Sequence, residues 1–450
     1  MDIFHDRIEV IDRGMTTSLP DGKNVQGVVR ASRRLIAPVR VLRGCNENLP
    51  RSVPIIGLGC SSFSTFFLSP EELIAHGGAL TPEEIVPSHP KVKEWIDTIH
   101  FAIASGITLL DTAPWYGHGT SEVVLGWAIK TLHSSISRET LTINTKVGRY
   151  EADPRKQFDF SYDTTIKSVQ RSLSRIKCTF INVLQLHDPE FAPTLDILVK
   201  ETIPAMIECR ERGYCKALGM TGYPLEVQYQ ILQATMIEYG TNVWDQSLVY
   251  SHYNLHDTSL FTHRFIRDQT FAEYCQNNGI AVMAAAPLSM GLLTHGEPPA
   301  WHPGSSSLQD ACRTAAKLCE SQGVNIATLA IVVALANPKI PCTLLGMKDQ
   351  NEVFLALEAA ARFKDVSKAE TDETVILKQV LTDGEYDIWL QLADDESGPF
   401  AALWKDGQYR WDGVKEVRKF WNLLGDKQAI AWQSSIEYTE VFIELPKVKE

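Results

Sequence analysis

Residues 106–133 read GITLLDTAPWYGHGTSEVVLGWAIKTLH, and they contain the pattern from which the fold can be predicted. An apolar run typical of a buried strand ends abruptly at Asp111, and a short loop separates it from an amphipathic helix that begins near Ser121. The same order of strand, loop, helix and glycine repeats from about residue 53 to 365. Eight such units in succession predict an α/β fold of the closed (β/α)8 type, a TIM barrel, rather than an open doubly wound sheet.

The repeat also predicts how the chain is organised. We expect residues 1–48 to form an irregular lead-in ending in a short hairpin, residues 49–365 to form the barrel, and residues 366–450 to form a C-terminal extension. Five tryptophans in the extension predict that it packs on the barrel. Residues 66–90 lengthen the first strand-to-helix loop, which opens on the catalytic face. Asp163 is the predicted cap of the helix that follows the third strand.

Composition excludes several classes of protein. The 450-residue chain has a formal net charge of −12 and no cluster of Lys or Arg, so nucleic acid and anionic membrane surfaces are not expected partners. Nine cysteines without a C-x-x-C pair predict reduced thiols and no zinc site. The N-terminus is too charged for a secretory signal, and IATLAIVVALA is about half a membrane span, which predicts a buried helix. We therefore expect a cytoplasmic protein, and the absence of a repeated apolar surface stripe makes a monomer the expected state.

Four ionisable residues follow consecutive predicted strands. Asp111 and Tyr116 lie in LLDTAPWYGHG, Lys146 ends LTINTK, and His187 ends INVLQLH. Because the carboxyl ends of barrel strands meet at one face, these side chains should form one catalytic site.

The four side chains together suit redox chemistry between a carbonyl and an alcohol. Tyr116 can move the hydroxyl proton, although an unperturbed phenol has a pKa near 10. A lysine ammonium about 4 Å away lowers that pKa by up to about three units. Lys146 is the candidate for this cation, Asp111 for the carboxylate that orients it, and His187 for the group that binds the substrate oxygen. No metal is required.

The segment GITLLDTAPWYGHGTSEVVLGWAI, with the endings NTK and LQLHD, closely resembles the signature of the aldo-keto reductase superfamily. AAAPLSMGLLTHGEPPAWHP and CTLLGMKDQNEV resemble its branch of aldose dehydrogenases. The resemblance implies a nicotinamide-dependent oxidation of an aldose at C1 to the lactone. It also implies that Asp111, Tyr116, Lys146 and His187 are catalytic, with Tyr116 as the base.

The resemblance further implies a dinucleotide that lies across the barrel mouth. The sequence has no G-x-G-x-x-G fingerprint, so it does not indicate a Rossmann-type cofactor site. The implied contacts come mainly from the ends of strands and the loops after strands seven and eight: Gly57, Asp111, Thr221, Pro287, Leu288, Gly291, Leu292, Gly346, Met347, Lys348 and Glu352. Glu352 stands where relatives often have an arginine for the 2′-phosphate of NADP, and a carboxylate there would repel this phosphate. We therefore expect NAD in preference to NADP.

The sequence is compatible with two substrate classes, a sugar and a bulky carbonyl compound. A sugar needs polar partners such as His118, Asp188 and His302, whereas a bulky carbonyl compound of a specialised pathway needs an apolar wall. Aromatic side chains are available for that wall: Phe63, Phe66, Phe67, Trp115 and Trp301. A third possibility is a cofactor-sensing subunit, but an intact proton-transfer pair of Tyr116 and Lys146 argues against it.

Overall fold

The computed structural model describes residues 35–410, apart from positions 43, 46, 66–67, 76–77, 135, 154, 299–301 and 368. The predictions for residues 1–34, and for Trp411, Trp421 and Trp432, lie outside the described residues.

Eight parallel strands close into a barrel, and two short antiparallel pairs lie outside it. The strands are β1 Val39–Val41, β2 Ser52–Pro54, β3 Ile56–Gly59, β4 Leu109–Asp111, β5 Thr142–Val147, β6 Ile181–His187, β7 Cys215–Gly222, β8 Gln246–Tyr250, β9 Arg264–Ile266, β10 Gln269–Thr270, β11 Ala281–Ala285 and β12 Thr343–Gly346. The barrel order is β11-β12-β3-β4-β5-β6-β7-β8, and the antiparallel pairs are β1 with β2 and β9 with β10. The predicted TIM barrel is confirmed.

Helices follow the barrel strands, as the repeat predicts. They are α1 Pro70–Ala75, α2 Pro90–Ala104, α3 Thr120–Lys130, α4 Tyr162–Ile176, α5 Ile203–Glu211, α6 Leu225–Tyr239, α7 Ser259–Thr262, α8 Phe271–Asn277, α9 Ser306–Ser321, α10 Ile326–Ala336, α11 Gln350–Ala361, α12 Glu373–Val380, α13 Asp383–Leu392 and α14 Ala401–Lys405. Left-handed φ angles at Gly106 (84°) and Gly240 (67°) let the chain turn from a helix towards the next strand.

The N-terminal hairpin β1–β2 closes the barrel at the end opposite the catalytic face. Leu49 and Val53 are buried in the same apolar cluster as Leu109 and Leu248, which point into the barrel. Arg40 on β1 donates hydrogen bonds to carbonyl oxygens just after the end of α10, those of Asn337 (3.0 Å) and Ile340 (2.7 Å). The structure thus contains a hairpin where the sequence predicts one, but its second strand, β2, lies beyond residue 48.

The described part of the C-terminal extension forms α12, α13 and α14 against the barrel's outer helices. Leu377, Ile388 and Phe400 are fully buried in the core cluster that includes α10 and α11. Arg362 at the end of α11 makes a two-pronged ion pair with Glu385 on α13, at 2.8 and 3.1 Å. Apolar burial and this pair together fix the described part of the extension on the barrel.

Asp163 is not the cap of α4: Ser161 is the N-cap residue, and Asp163 lies in the first turn, where a carboxylate favours the helix dipole. All nine cysteines lie in the described part and are free thiols, mostly buried. No single described helix has the length and apolar composition of a membrane span; the bent pair α9 and α10, meeting at 105°, passes that test only jointly.

Candidate active site

The four predicted catalytic residues come together at the carboxyl ends of neighbouring strands. Asp111 ends β4, Lys146 is the second-last residue of β5, and His187 ends β6. Tyr116 begins a single 3-10 turn, Tyr116–Gly119, that follows β4. Since β4, β5 and β6 are adjacent in the barrel, the four side chains converge on one edge of its mouth.

Lys146 and Asp111 form a buried ion pair, with both side chains almost inaccessible to solvent. The ammonium also donates to the Thr112 carbonyl oxygen at 2.8 Å, and the second carboxylate oxygen accepts from the Gln185 amide at 2.7 Å. Burial is the largest single influence and lowers the pKa of Lys146, but Asp111 and Tyr116 together outweigh it, so the net pKa is raised. Lys146 is therefore a permanent cation.

The turn that carries Tyr116 is strained and tightly packed. Gly117, His118 and Gly119 all have left-handed φ angles, of 59°, 54° and 101°, which glycine adopts freely and which are strained only at His118. A Cβ atom on Gly117 would lie 2.0 Å from Thr120 Oγ1 and 2.5 Å from the Cβ of Ser64, so only glycine fits. Strain of this kind persists only where the surroundings enforce it, which indicates a preorganised position for Tyr116.

Tyr116 lies beside both Lys146 and His187. The Lys146 Nζ is 4.7 Å from the centroid of the phenol ring, and the His187 ring meets it edge-on, with centroids 6.1 Å apart. Burial raises the pKa of Tyr116, and the charge of Lys146 offsets only part of this increase. Lys146 therefore lowers the pKa of Tyr116, as the sequence predicts, but burial has the larger effect and the pKa stays above its ordinary value.

His187 is a neutral imidazole. Burial lowers its pKa to about 3, although the nearby Asp188 carboxylate opposes the change. Its Nε2 lies 3.5 Å from an Asp188 oxygen, and its buried Nδ1 has no hydrogen-bond partner among the described residues. A neutral ring carries one N–H donor, which suits binding of a substrate oxygen.

A second polar group, beside the four predicted residues, lines the mouth. Arg149 donates to Asp188 at 2.7 Å, and its guanidinium stacks on the Trp115 ring at 4.1 Å. Asp188 directly follows His187 and has a left-handed φ of 48°, and its side chain is held by Arg149. Sequence reasoning named Asp188 as a pocket residue but missed Arg149, whose signal is its place three residues after Lys146 at the end of β5.

Glu190 is a buried carboxyl group behind His187, and sequence reasoning missed it too. One oxygen accepts the Tyr223 backbone N–H at 3.0 Å, whereas the other has no hydrogen-bond partner among the described residues. Burial, reinforced by the Asp188 charge, raises the pKa of Glu190 to about 8. Arg149 opposes this increase only weakly. Glu190 is therefore mainly a neutral acid at pH 7.

Residues 286–292, the predicted cofactor segment, follow β11 and contain Pro287, Leu288, Gly291 and Leu292. Pro287 and Leu292 are buried, and Leu288 and Gly291 are partly exposed at the mouth. Thr221 is buried at the end of β7, beside His187 in the strand register. These residues thus border the same opening as the four predicted catalytic residues.

Gly346, Met347, Lys348 and Glu352 lie at the end of β12 and the start of α11. Gly346 and Lys348 are exposed, and the Met347 side chain is fully buried in the core. A Glu352 oxygen accepts the Lys348 backbone N–H at 2.8 Å, and Asp349 caps α11 by accepting the Glu352 N–H at 2.9 Å. Two carboxylates therefore occupy the start of this helix.

Some predicted residues do not reach the mouth. Gly57 lies within β3, where an added Cβ would be 2.5 Å from the Leu344 side chain, so it is a packing position in the barrel interior and not a cofactor contact. Phe63 is fully buried in the core and cannot form a pocket wall. Phe66, Phe67 and Trp301 lie outside the described residues. No described group of His, Cys, Asp or Glu side chains is arranged to hold a metal ion.

The sequence pattern of the Aldo/keto reductase family matches residues 84–375, more than half of the chain. The protein belongs to this family of oxidoreductases. It is 36% identical over 258 residues to L-galactose dehydrogenase of Arabidopsis thaliana, an alignment that covers 57% of this chain and 75% of the relative. It is 32% identical over 287 residues to D-arabinose 1-dehydrogenase of Saccharomyces cerevisiae, covering 63% of this chain and 81% of the relative.

Solved structures support the same fold. An aldo-keto reductase of Bacillus halodurans in its holo form superposes with a TM-score of 0.54 at 20% identity, covering 80% of this chain and 97% of that one. The glycerol dehydrogenase of Gluconobacter oxydans superposes with a TM-score of 0.50 at 20% identity, covering 77% and 93%. At this identity the likeness concerns the fold alone.

Proposed function

We propose that this protein oxidises an aldose at C1 to the lactone, with NAD as the hydride acceptor. The observation that carries the proposal is the Arg149–Asp188 pair, which lies beside His187 and Tyr116 and offers a donor and an acceptor to neighbouring hydroxyl groups. Two relatives named as sugar dehydrogenases support the same substrate class.

Thr221, the predicted cofactor segment and residues 346–348 would hold the dinucleotide across the mouth. Gly346 is exposed, and an added Cβ would meet nothing within 4 Å, so a ligand can approach the backbone there. Asp349 and Glu352 at the start of α11 would repel a 2′-phosphate but could accept from a ribose hydroxyl. The residues therefore fit NAD better than NADP.

Hydride acceptance is the chemistry that a nicotinamide supplies when bound. The protein handles the proton and the oxygen: the Tyr116 phenolate takes the proton of the C1 hydroxyl group as the C1–H bond breaks. Lys146 stabilises the phenolate by its charge, and Asp111 keeps Lys146 charged and in position. The N–H of neutral His187 donates to the C1 oxygen and fixes its direction.

Reduction of a bulky carbonyl compound is the second candidate. Trp115, Arg149 and Phe158 form a layered wall, in which the guanidinium lies 4.1 Å from one ring and 5.3 Å from the other. Phe191 extends this wall by stacking on Phe158 at 4.6 Å. Such a wall would suit an aromatic ketone as well as the flat face of a sugar.

The test is steady-state turnover with NAD or NADP, followed by absorbance of the reduced nicotinamide. The panel contains L-galactose, D-arabinose and L-fucose for oxidation, and aromatic aldehydes and ketones for reduction. Tyr116→Phe should lower kcat about 10²- to 10⁴-fold. Tyr239→Phe is the matched control, because its hydroxyl bonds the Val199 carbonyl oxygen on an outer helix. Turnover of aromatic carbonyls alone would favour the second candidate, and turnover that survives Tyr116→Phe would overturn the proposed mechanism.

A further inference from the structure

The predicted cofactor segment has an unusual backbone. Ala286, Ser289 and Met290 have left-handed φ angles of 57°, 50° and 51°, and Gly291 follows at 99°. Residues with side chains rarely adopt this region, so external contacts must hold the segment in place.

Ser289 supplies two such contacts, and each ends on a buried histidine. Its hydroxyl lies 2.8 Å from His256 Nε2, and its carbonyl oxygen lies 3.0 Å from His302 Nε2. His302 Nδ1 accepts the Gly304 backbone N–H at 2.9 Å, so its proton is on Nε2, where it donates to Ser289. Ser289 is itself fully buried, and the segment is held from both sides.

His256 connects Ser289 to the C-terminal extension. Its Nδ1 lies 2.7 Å from the Tyr409 carbonyl oxygen, which can only accept, so Nδ1 carries the proton. In the neutral ring Nε2 is then an acceptor, and the Ser289 hydroxyl donates to it. The His256 carbonyl oxygen in turn accepts from Trp404 Nε1 at 2.8 Å. Both contacts from the extension, Trp404 and Tyr409, lie beyond the part of the chain that matches the family pattern.

We infer that the C-terminal extension braces the predicted cofactor segment through His256, a positioning residue that sets the affinity for the dinucleotide. The inference rests on the proposed function, because it takes residues 286–292 to contact NAD. The brace itself does not depend on NAD. Tyr409, His256 and Ser289 form a chain of hydrogen bonds that keeps a strained backbone in one conformation.

Two substitutions of His256 test its two hydrogen bonds, to Tyr409 and to Ser289, one at a time. The amide of His256→Asn takes the place of Nδ1 and keeps the bond to Tyr409, whereas the amide of His256→Gln reaches towards Ser289 and gives up Tyr409. Ser289→Ala removes the hydroxyl, and Trp404→Phe removes only the indole donor. His100→Asn is the matched control, because His100 also bonds a backbone carbonyl oxygen, that of Ala128 at 2.8 Å, but on the outer helices.

The full-length variants are compared in NADH binding, in kcat and in amide hydrogen exchange of residues 286–292 without cofactor. We expect His256→Asn and Ser289→Ala each to weaken NADH binding about tenfold, corresponding to about 1.4 kcal/mol, with kcat within about twofold of the wild type. The double variant His256→Asn/Ser289→Ala should bind NADH as weakly as either single variant, because both substitutions break the same hydrogen bond. Exchange in the segment should rise in all four test variants and stay unchanged in His100→Asn.

Unchanged NADH affinity and unchanged exchange in folded His256→Asn and Ser289→Ala would overturn the inference. A loss of kcat without loss of affinity would also overturn it, since a positioning role in cofactor binding predicts the reverse. If the wild type binds no nicotinamide dinucleotide, the proposed function fails and the affinity part of the inference with it. The exchange measurement then still decides whether the brace exists.

Discussion

The Lys146 ammonium nitrogen lies 4.7 Å from the centroid of the Tyr116 ring, and its other side contacts the Asp111 carboxylate. One cation thus serves two purposes: it neutralises a carboxylate inside the barrel and opposes the effect of burial on the phenol. At an effective dielectric of 20, a unit charge about 5 Å away contributes roughly 3 kcal/mol to the ionisation of Tyr116.

Replacing Lys146 should lower both kcat and the free energy of unfolding, for two different reasons that can be tested separately. Lys146→Met removes the charge that favours the phenolate and leaves Asp111 as an unpaired buried carboxylate, which we expect to lower the free energy of unfolding by about 3–5 kcal/mol. The double variant Lys146→Met/Asp111→Asn removes both charges and should recover most of that stability while staying inactive in oxidation. Denaturant unfolding and kcat are the two measurements. If the double variant regained activity along with stability, Lys146 would be only a structural residue.

The oxidation rate should increase with pH. Because the pKa of Tyr116 is raised above its ordinary value of 10.0, the phenolate base is scarce at neutral pH and increases about tenfold per pH unit. We expect log kcat for alcohol oxidation to rise with a slope near one through the neutral and mildly alkaline range. Carbonyl reduction uses protonated Tyr116 and should be nearly independent of pH there. Equal pH profiles in the two directions would contradict this assignment of the acid and base.

Glu190 should make the protein less stable as pH rises. Its pKa is 4.5 in the unfolded reference and about 8 in the folded protein, so the folded state binds more protons between these values. The free energy of unfolding therefore falls as pH rises through this window. For a single group that titrates alone, the slope is about 1.4 kcal/mol for each pH unit. Glu190→Gln keeps an acceptor for the Tyr223 N–H and removes the titration.

This variant should match the wild type near pH 4 and be more stable at pH 8, by a few kcal/mol at most. Thermal unfolding across this range measures the difference. Glu211→Gln, at an exposed position ending α5, is the control and should leave the pH dependence unchanged. A wild-type curve that does not fall between pH 5 and 8 relative to Glu190→Gln would show that Glu190 is ionised in the folded protein.

Glu352 should contribute to the choice between NAD and NADP. Glu352→Gln removes a carboxylate from the start of α11 and leaves an amide oxygen that can still accept the Lys348 N–H. We expect kcat/KM for NADP relative to NAD to rise about tenfold, the effect of about 1.4 kcal/mol. Glu358→Gln, exposed on the same helix, is the matched control. An unchanged ratio would place the 2′-position of the cofactor away from Glu352.

Strand and helix order could be predicted from the sequence because each repeat is locally complete. ITLLDT and LTINTKV are apolar runs that end in a charge, and they become β4 and β5 with Asp111 and Lys146 at their carboxyl ends. The cap of α4 was mispredicted because Ser161 and Asp163 both suit a helix start, and only the backbone geometry selects between them.

The candidate site was only partly predictable, for a physical reason. Asp111, Tyr116, Lys146 and His187 stand out because an ionisable residue interrupts an apolar pattern. Glu190 and Arg149 lie in polar loops, where a charged residue is ordinary, and their burial depends on contacts between different strands. The raised pKa of Tyr116 likewise depends on the balance between burial and the Lys146 charge, which has no signature in sequence.

The hydrogen bonds from Arg40 to the chain just after α10 join segments that are synthesised far apart in time. The acceptors of Arg40, among them Asn337 and Ile340, are synthesised about 300 residues later. At 5–20 residues per second, translation of that interval takes about 15–60 s. During this time β1 and β2 lack the helix end on which Arg40 anchors, and β3 lacks its neighbour β12. The nascent chain therefore carries an open-edged sheet until its final third emerges, and the unpaired edges of its apolar strands are exposed to aggregation during that period.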